Sequence, residues 1–94
     1  MPKYYVETGR VRLVISAQNA TEAAVKAFQW TCDRQSEIYA DSPLDHCRRA
    51  EKEGCRVDDQ IRVNELGFGS DRGVTFDTLE IVAVWQGYAF AWGV

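Results

Sequence analysis

The sequence lacks any long hydrophobic run. Its longest apolar stretches, residues 81–85 and 88–92, are five residues each, whereas a helix that crosses a bilayer needs about 20. The N-terminal residues also lack the apolar segment and small-residue cleavage site of a secretory signal. We therefore expect a cytoplasmic protein that makes no contact with a membrane.

The chain has only three cysteines, which is an odd number. Cys32, Cys47 and Cys55 do not form the even, dense set of a secreted disulfide framework, so we expect reduced thiols, with a Cys47–Cys55 bridge as the alternative. Together with His46, the only histidine, they supply the ligand types of a structural zinc site. Zinc ligands usually come in pairs two to four residues apart, and these do not. We predict no metal and no cofactor, and keep a zinc-stabilised adaptor as the third hypothesis.

Basic residues are outnumbered by acidic ones, 11 to 14, which gives a net charge of −3. Affinity for nucleic acid comes largely from basic side chains that neutralise phosphates, and an anionic membrane surface attracts the same residues. We therefore expect neither partner. Residues 1–19 differ from the rest, with three basic side chains and one carboxylate. We interpret Arg10 and Arg12, which alternate along a predicted strand, as part of a solvated face.

The 94 residues, 46% of them hydrophobic, are enough for one domain over 1–94. Val11, Leu13 and Ile15 alternate with polar residues, which is typical of a half-buried strand. Gly9 precedes them and fits a tight turn. The first element is therefore predicted to be a β-hairpin.

Two helices are predicted next. Asn19 and Glu22 have the spacing of a capping box, and small and apolar residues then recur at helical intervals over residues 20–39. Pro43 ends this run and, behind the cap residue Ser42, begins a second helix over 43–53. We expect the second helix to turn Leu44, Cys47 and Ala50 inward, and to leave its charged residues and His46 on the surface.

The rest of the chain is predicted to form two strands, over residues 60–66 and 74–85. In the second, Leu79, Ile81, Ala83 and Trp85 share one face. The predicted fold is α+β in the order β-β-α-α-β-β, a four-stranded antiparallel sheet with one long helix packed on one face. Val14 would point to the uncovered face of this sheet, together with Val82 and Val84.

No set of catalytic residues is predicted, so an enzyme is disfavoured. His46 and Cys47 are sequence neighbours, which is a poor geometry for a base and its nucleophile. Residues 67–73 contain three glycines and are predicted to be a hairpin loop in which Phe68 plugs the end of the sheet. A small enzyme or ligand-binding protein that uses this loop and Asp58-Asp59 is the alternative function.

Aromatic residues gather at the end of the chain. Four of the eleven lie within the last ten positions: Trp85, Tyr88, Phe90 and Trp92. Such residues are enriched at protein interfaces, although the same segment would also complete the core of a small domain. We therefore predict a non-catalytic protein-interaction module that binds a protein partner or forms a homodimer through these four residues.

Overall fold

The strands and helices follow the order β-β-α-α-β-β-α in a computed structural model that describes residues 2–69 and 72–91, with side chains as far as Gly87. The strands form one antiparallel sheet, which confirms the predicted α+β class and the four-stranded antiparallel sheet. The elements are β1 (Lys3–Thr8), β2 (Val11–Ser16), α1 (Ala20–Ser36), α2 (Pro43–Lys52), β3 (Gln60–Asn64), β4 (Val74–Asp77) and α3 (Thr78–Ala91).

The predicted hairpin joins β1 to β2. Thr8 pairs with Val11 across the two-residue turn of Gly9 and Arg10. Gly9 has a φ of 56°, and a positive φ at the first central position is what a type II′ turn requires. β1 also pairs with β3, so the strand order is β2-β1-β3-β4 and the outermost strands of the described sheet are β2 and β4.

The core lies between one face of the sheet and α1. Asn19 caps this helix as predicted, since its side-chain oxygen accepts a hydrogen bond from the Glu22 N–H at 2.8 Å. Small side chains on the buried side of α1 let the helix lie close to the sheet. The fully buried residues of this layer include Val6, Ala23, Ala24, Ala27 and Ile61.

Both predicted helices exist, with two differences. α1 ends at Ser36 rather than at Tyr39, because the next two N–H groups bond to carbonyls three residues back and tighten the last turn. α2 begins at Pro43 behind the Ser42 cap, as predicted. However, Leu44 and Cys47 are exposed, and Ala50 is the only residue of α2 that is buried. The helix therefore lies against the domain along a narrower strip than the sequence suggested.

The largest correction concerns residues 78–85, which were predicted to continue a strand. β3 begins at Gln60, opposite Asp77, so the chain beyond Asp77 has no strand residue to pair with. A helix satisfies those backbone groups within the segment. Thr78 also donates its N–H to the Asp59 carbonyl at 2.9 Å and its hydroxyl to the Asp58 carbonyl, which fixes the point where α3 begins.

The face of the sheet opposite α1 is open, and Val14 lies on it, 53% exposed, as predicted. Val82 and Val84 do not lie on this face, because they belong to α3, which packs against α1. The backbone of residues 88–91 continues α3, and nothing is described of the surface that these side chains contact. Trp92 lies outside the described residues.

Candidate functional site

One exposed apolar surface of the described chain is the solvent-facing side of α3. Leu79 is 82% exposed, and Val84 is 38% exposed. Ala83 and Gly87 lie beside them and are exposed as well, with no atom near the position of a Cβ on Gly87. We call Leu79, Ala83, Val84 and Gly87 the α3 outer surface.

This surface is unusual because α3 is apolar on all sides. Glu80 is the only charged residue in its sequence. A helix of this composition is normally buried all round, whereas the part of α3 whose side chains are described, residues 78–87, is buried on one side only. Apolar side chains that gather on a protein surface commonly mark a place where another molecule binds.

The inner side of α3 holds Trp85, the first of the four aromatic residues predicted at an interface. Its ring meets Phe28 of α1 edge to face, with 5.3 Å between the ring centroids. Its Nε1–H donates a hydrogen bond to the Gln29 Oε1 at 2.5 Å. Trp85 thus joins α3 to α1, and Ile81, one helical turn before it, is fully buried.

The other three predicted residues lie at the limit of the described chain. The backbones of Tyr88 and Phe90 belong to α3, while their side chains lie outside the described part. Trp92 lies beyond it. The α3 outer surface thus belongs to the segment that the sequence singles out, although Leu79 and Val84 are not among the four residues predicted to bind a partner. In the predicted strand, Leu79 shared one face with Ile81 and Trp85. Because this segment is a helix instead, Leu79 lies on the side away from them and is exposed.

The loop between β3 and β4 folds back over the open face of the sheet. The Asn64 side-chain oxygen accepts the N–H groups of two loop residues at 2.8 and 2.9 Å. The Phe68 ring then packs edge to face on Tyr5 of β1, 5.1 Å between centroids. The Gly69 N–H donates to a Glu7 carboxylate oxygen at 3.0 Å. Phe68 thus covers part of the sheet's face, rather than plugging its end.

Gly73 fixes the return of this loop to β4. Its φ is 125°, a conformation that other residues rarely adopt. A Cβ at this position would also overlap the Val63 carbonyl oxygen and the Asn64 side chain. Gly73 is therefore required by the path of the loop back to β4.

The two loops proposed for a small enzyme are separated by β3. Asp58 and Asp59 precede the first residue of the strand, whereas residues 67–73 follow its last. Five strand residues span about 16 Å at 3.3 Å per residue. The fold therefore places these loops at opposite ends of the sheet and does not bring them into one site.

A cavity of about 260 Å³ does lie beside Asp58 and Asp59, next to the turn at Gly9. Two of its charged side chains pair with each other, Arg56 with Glu51 at 3.3 Å. The Asp58 N–H also donates to the Thr8 hydroxyl at 2.8 Å. The described residues that line the cavity include no serine, cysteine or histidine, so this lining offers no hydroxyl or thiol nucleophile of these kinds and no imidazole base.

The three cysteines and His46 are spread over different environments, and no metal-binding group of three forms among the described residues. All three thiols are free: Cys47 is exposed and Cys55 is buried, with its thiol 3.5 Å from the Ala50 carbonyl. Burial raises the pKa of the Cys55 thiol, and the Glu53 carboxylate raises it further. Burial also raises the pKa of Cys32.

His46 is half-buried rather than a surface residue. Its Nε2 lies 3.0 Å from the Gln35 carbonyl oxygen at the end of α1. The Gln35 side chain in turn donates to the Cys55 carbonyl at 2.9 Å. His46 therefore helps to hold α2 against α1, and this contact gives it a structural role.

Comparisons with known proteins add no function to this geometry. No protein-family model matches the chain, and no curated protein or solved structure is significantly similar to it. Among the helices of the described part, none is long and apolar enough to cross a membrane. The function must therefore be argued from the residues themselves.

Proposed function

We propose that this protein is a non-catalytic protein-interaction module that associates with a second copy of itself through the α3 outer surface. The observation that carries the proposal is the exposure of Leu79 and Val84 on a helix whose only charged residue is Glu80. Burying an exposed leucine contributes about 1.5–3 kcal/mol, so a contact between two copies removes an unfavourable surface from water.

The composition of the surface supports association between identical chains. In a two-fold symmetric dimer, one patch meets its own copy, so the patch must be compatible with itself. Glu80, which is exposed on the same side of α3, is the only charged residue that the helix would bring to such a contact. Ala83 and Gly87 present little or no side chain, and Gly87 leaves open space around it. Two α3 helices can therefore approach closely, with Leu79 and Val84 supplying apolar area beside the contact.

A cytoplasmic location and the absence of a nucleic-acid partner remain parts of this proposal. They are supported by the net charge of −3 and by the odd number of cysteines. A different protein that binds the α3 outer surface is the alternative partner. It becomes the interpretation to pursue if the chain does not associate with itself.

Sedimentation velocity at micromolar and higher concentrations tests the proposal. We expect the wild-type chain to sediment as a monomer–dimer mixture and Leu79→Lys to sediment as a monomer, because an ammonium group cannot enter an apolar contact without cost. Leu44→Lys on α2 is the matched control, since Leu44 is also an exposed leucine on a helix. It should leave the dimer unchanged. A wild-type chain that stays monomeric, or a Leu79→Lys chain that still dimerises, contradicts self-association.

A further inference from the structure

The outer edge of β2 presents backbone groups that suit an added strand. Thr8 and Val11 flank a two-residue turn, and in such a hairpin this pair exchanges both backbone hydrogen bonds. Alternate residues of β2 then face β1. The residues between them, Arg12, Val14 and Ser16, direct their N–H and C=O groups away from the sheet.

Two observed hydrogen bonds agree with this alternation. The N–H of Ala17, which follows β2, donates inward to the Pro2 carbonyl at 3.1 Å. The carbonyl of Ser16 instead accepts from the Lys26 ammonium of α1 at 3.0 Å, outside the β1–β2 ladder. The backbone groups of Arg12 and Val14 therefore point outward along the same edge.

This edge has little of the protection that usually prevents strand addition. Proteins protect edges with prolines, bulges, very short strands or charged side chains, and the described edge of β2 has one charged residue of its own, Arg12. β2 has six residues, no proline, and an unbroken register with β1. Lys26 covers its end at Ser16 only. The opposite edge of the described sheet, β4, is shorter, with four residues.

The surroundings of the edge are positively charged, although the chain as a whole is negative. Arg12 pairs with Glu7 at 3.5 Å, but the Arg12 side chain is 68% exposed and the Glu7 side chain only 13%. Lys26 is likewise more exposed than Glu22, with which it pairs. Arg10 in the turn is also exposed. An approaching peptide therefore meets cationic groups before it meets their carboxylate partners.

We propose that β2 binds an extended acidic peptide of a partner protein, which adds to the sheet as a further strand. Main-chain hydrogen bonds to Arg12 and Val14 supply the pairing, and side chains alternate between Val14 on one face and the half-buried Leu13 and Ile15 on the other. Addition of a second copy at this edge is disfavoured, because it would bring Arg12 close to cationic groups of the other copy. The site is separate from the α3 outer surface.

Titration with two synthetic peptides tests this assignment. The probes are the blocked hexapeptide Glu-Val-Glu-Val-Glu-Val and its basic counterpart with lysine in place of glutamate. By calorimetry at low salt, we expect the acidic peptide to bind at least tenfold more tightly than the basic one, and added salt to weaken it. In amide NMR spectra the shifts should centre on Arg12 and Val14. Equal binding of both peptides, binding of neither, or shifts centred on α3 would overturn the proposal.

Variants of the edge separate backbone pairing from charge. Val14→Pro removes an outward N–H, a substitution that edge strands tolerate, and should weaken binding at least tenfold, while Val14→Thr keeps the N–H and should bind normally. Arg12→Gln should weaken binding of the acidic peptide severalfold, whereas Arg48→Gln on α2 should not. If Val14→Pro fails to fold, this pair of variants tests whether the peptide binds at β2. Unchanged binding by Arg12→Gln, or by a folded Val14→Pro, contradicts the site. So does a wild-type dimer that Val14→Pro abolishes, because β2 would then pair with its own copy.

Discussion

Two helices at the surface of this domain expose opposite chemistry. The exposed residues of α2 are mostly charged, among them Arg48, Arg49, Glu51 and Lys52. Those of α3 are mostly apolar or small. Solvent suits the outer side of α2, whereas the α3 outer surface is better matched to another protein. Both helices are exposed, so it is the chemistry of the exposed side chains that makes α3 rather than α2 the proposed interface.

The two helices also differ in what stabilises them. α2 has strong local signals: the Ser42 cap, Pro43 at the first position, and basic residues in the last turn. α3 has few signals of this kind, and relies on Ile81 and Trp85, which pack against the core and α1. Substitutions in the two helices should therefore have unequal effects on stability.

The largest difference should come from Ile81→Ala. Ile81 is 1% exposed within the core cluster, and truncating such a residue lowers the free energy of unfolding by about 2–5 kcal/mol. Leu44→Ala on α2 is the matched control and should change it by less than about 0.5 kcal/mol, as expected of a surface site. Urea denaturation followed by circular dichroism measures both. Similar losses for the two variants would mean that α3 is not anchored as described.

A smaller effect is expected for His46→Ala. The sequence alone predicts a neutral substitution, because His46 is expected on the surface. The hydrogen bond to the Gln35 carbonyl changes this, and its loss should lower the free energy of unfolding by about 1 kcal/mol. Arg48→Ala, two residues along the same helix, serves as the control in the same denaturation experiment. If both variants were equally stable, the hydrogen bond between His46 and Gln35 would contribute nothing to the free energy of unfolding.

The smallest effect should come from Arg49→Ala. Arg49 pairs with Asp45 one turn earlier at 3.1 Å, and both side chains are well exposed. Exposed pairs of this kind contribute about 0.3–0.5 kcal/mol, so thermal unfolding should change little and the small difference should vanish at high salt. A loss above 1 kcal/mol, or one that salt does not reduce, would show that the charged side of α2 does more than face solvent.

The elements with strong local signals could be predicted from the sequence, whereas α3, which has few such signals, could not. The hairpin at Gly9, the Asn19 cap and the start of α2 each follow from a few neighbouring residues. The apolar residues in 78–85 alternate as in a strand. However, β3 begins at Gln60, which pairs with Asp77, so the residues after Asp77 have no strand to pair with. A single sequence does not reveal where a distant strand begins. Two features could have indicated the helix: Thr78 followed by Glu80 in a first turn, and Ile81 and Trp85 four residues apart.

The candidate site was predictable to the level of a segment. The aromatic residues and the absence of charge after Glu80 both drew attention to the end of the chain. Which side chains face solvent depends on whether the segment is a strand or a helix. As a strand, Leu79 and Trp85 share a face; as a helix, Trp85 packs on α1 and Leu79 is exposed. The site residues therefore changed when the secondary structure did.

Hydrogen exchange at several protein concentrations tests the central claim most directly, because it observes α2 and α3 in the same sample. If α3 binds its own copy, the amides of residues 79–87 should exchange more slowly as the concentration rises through the dimerisation range, while those of residues 43–52 should not change. Leu79→Lys should remove the concentration dependence. Exchange in α3 that is independent of concentration, or protection that appears in α2 instead, would contradict the account.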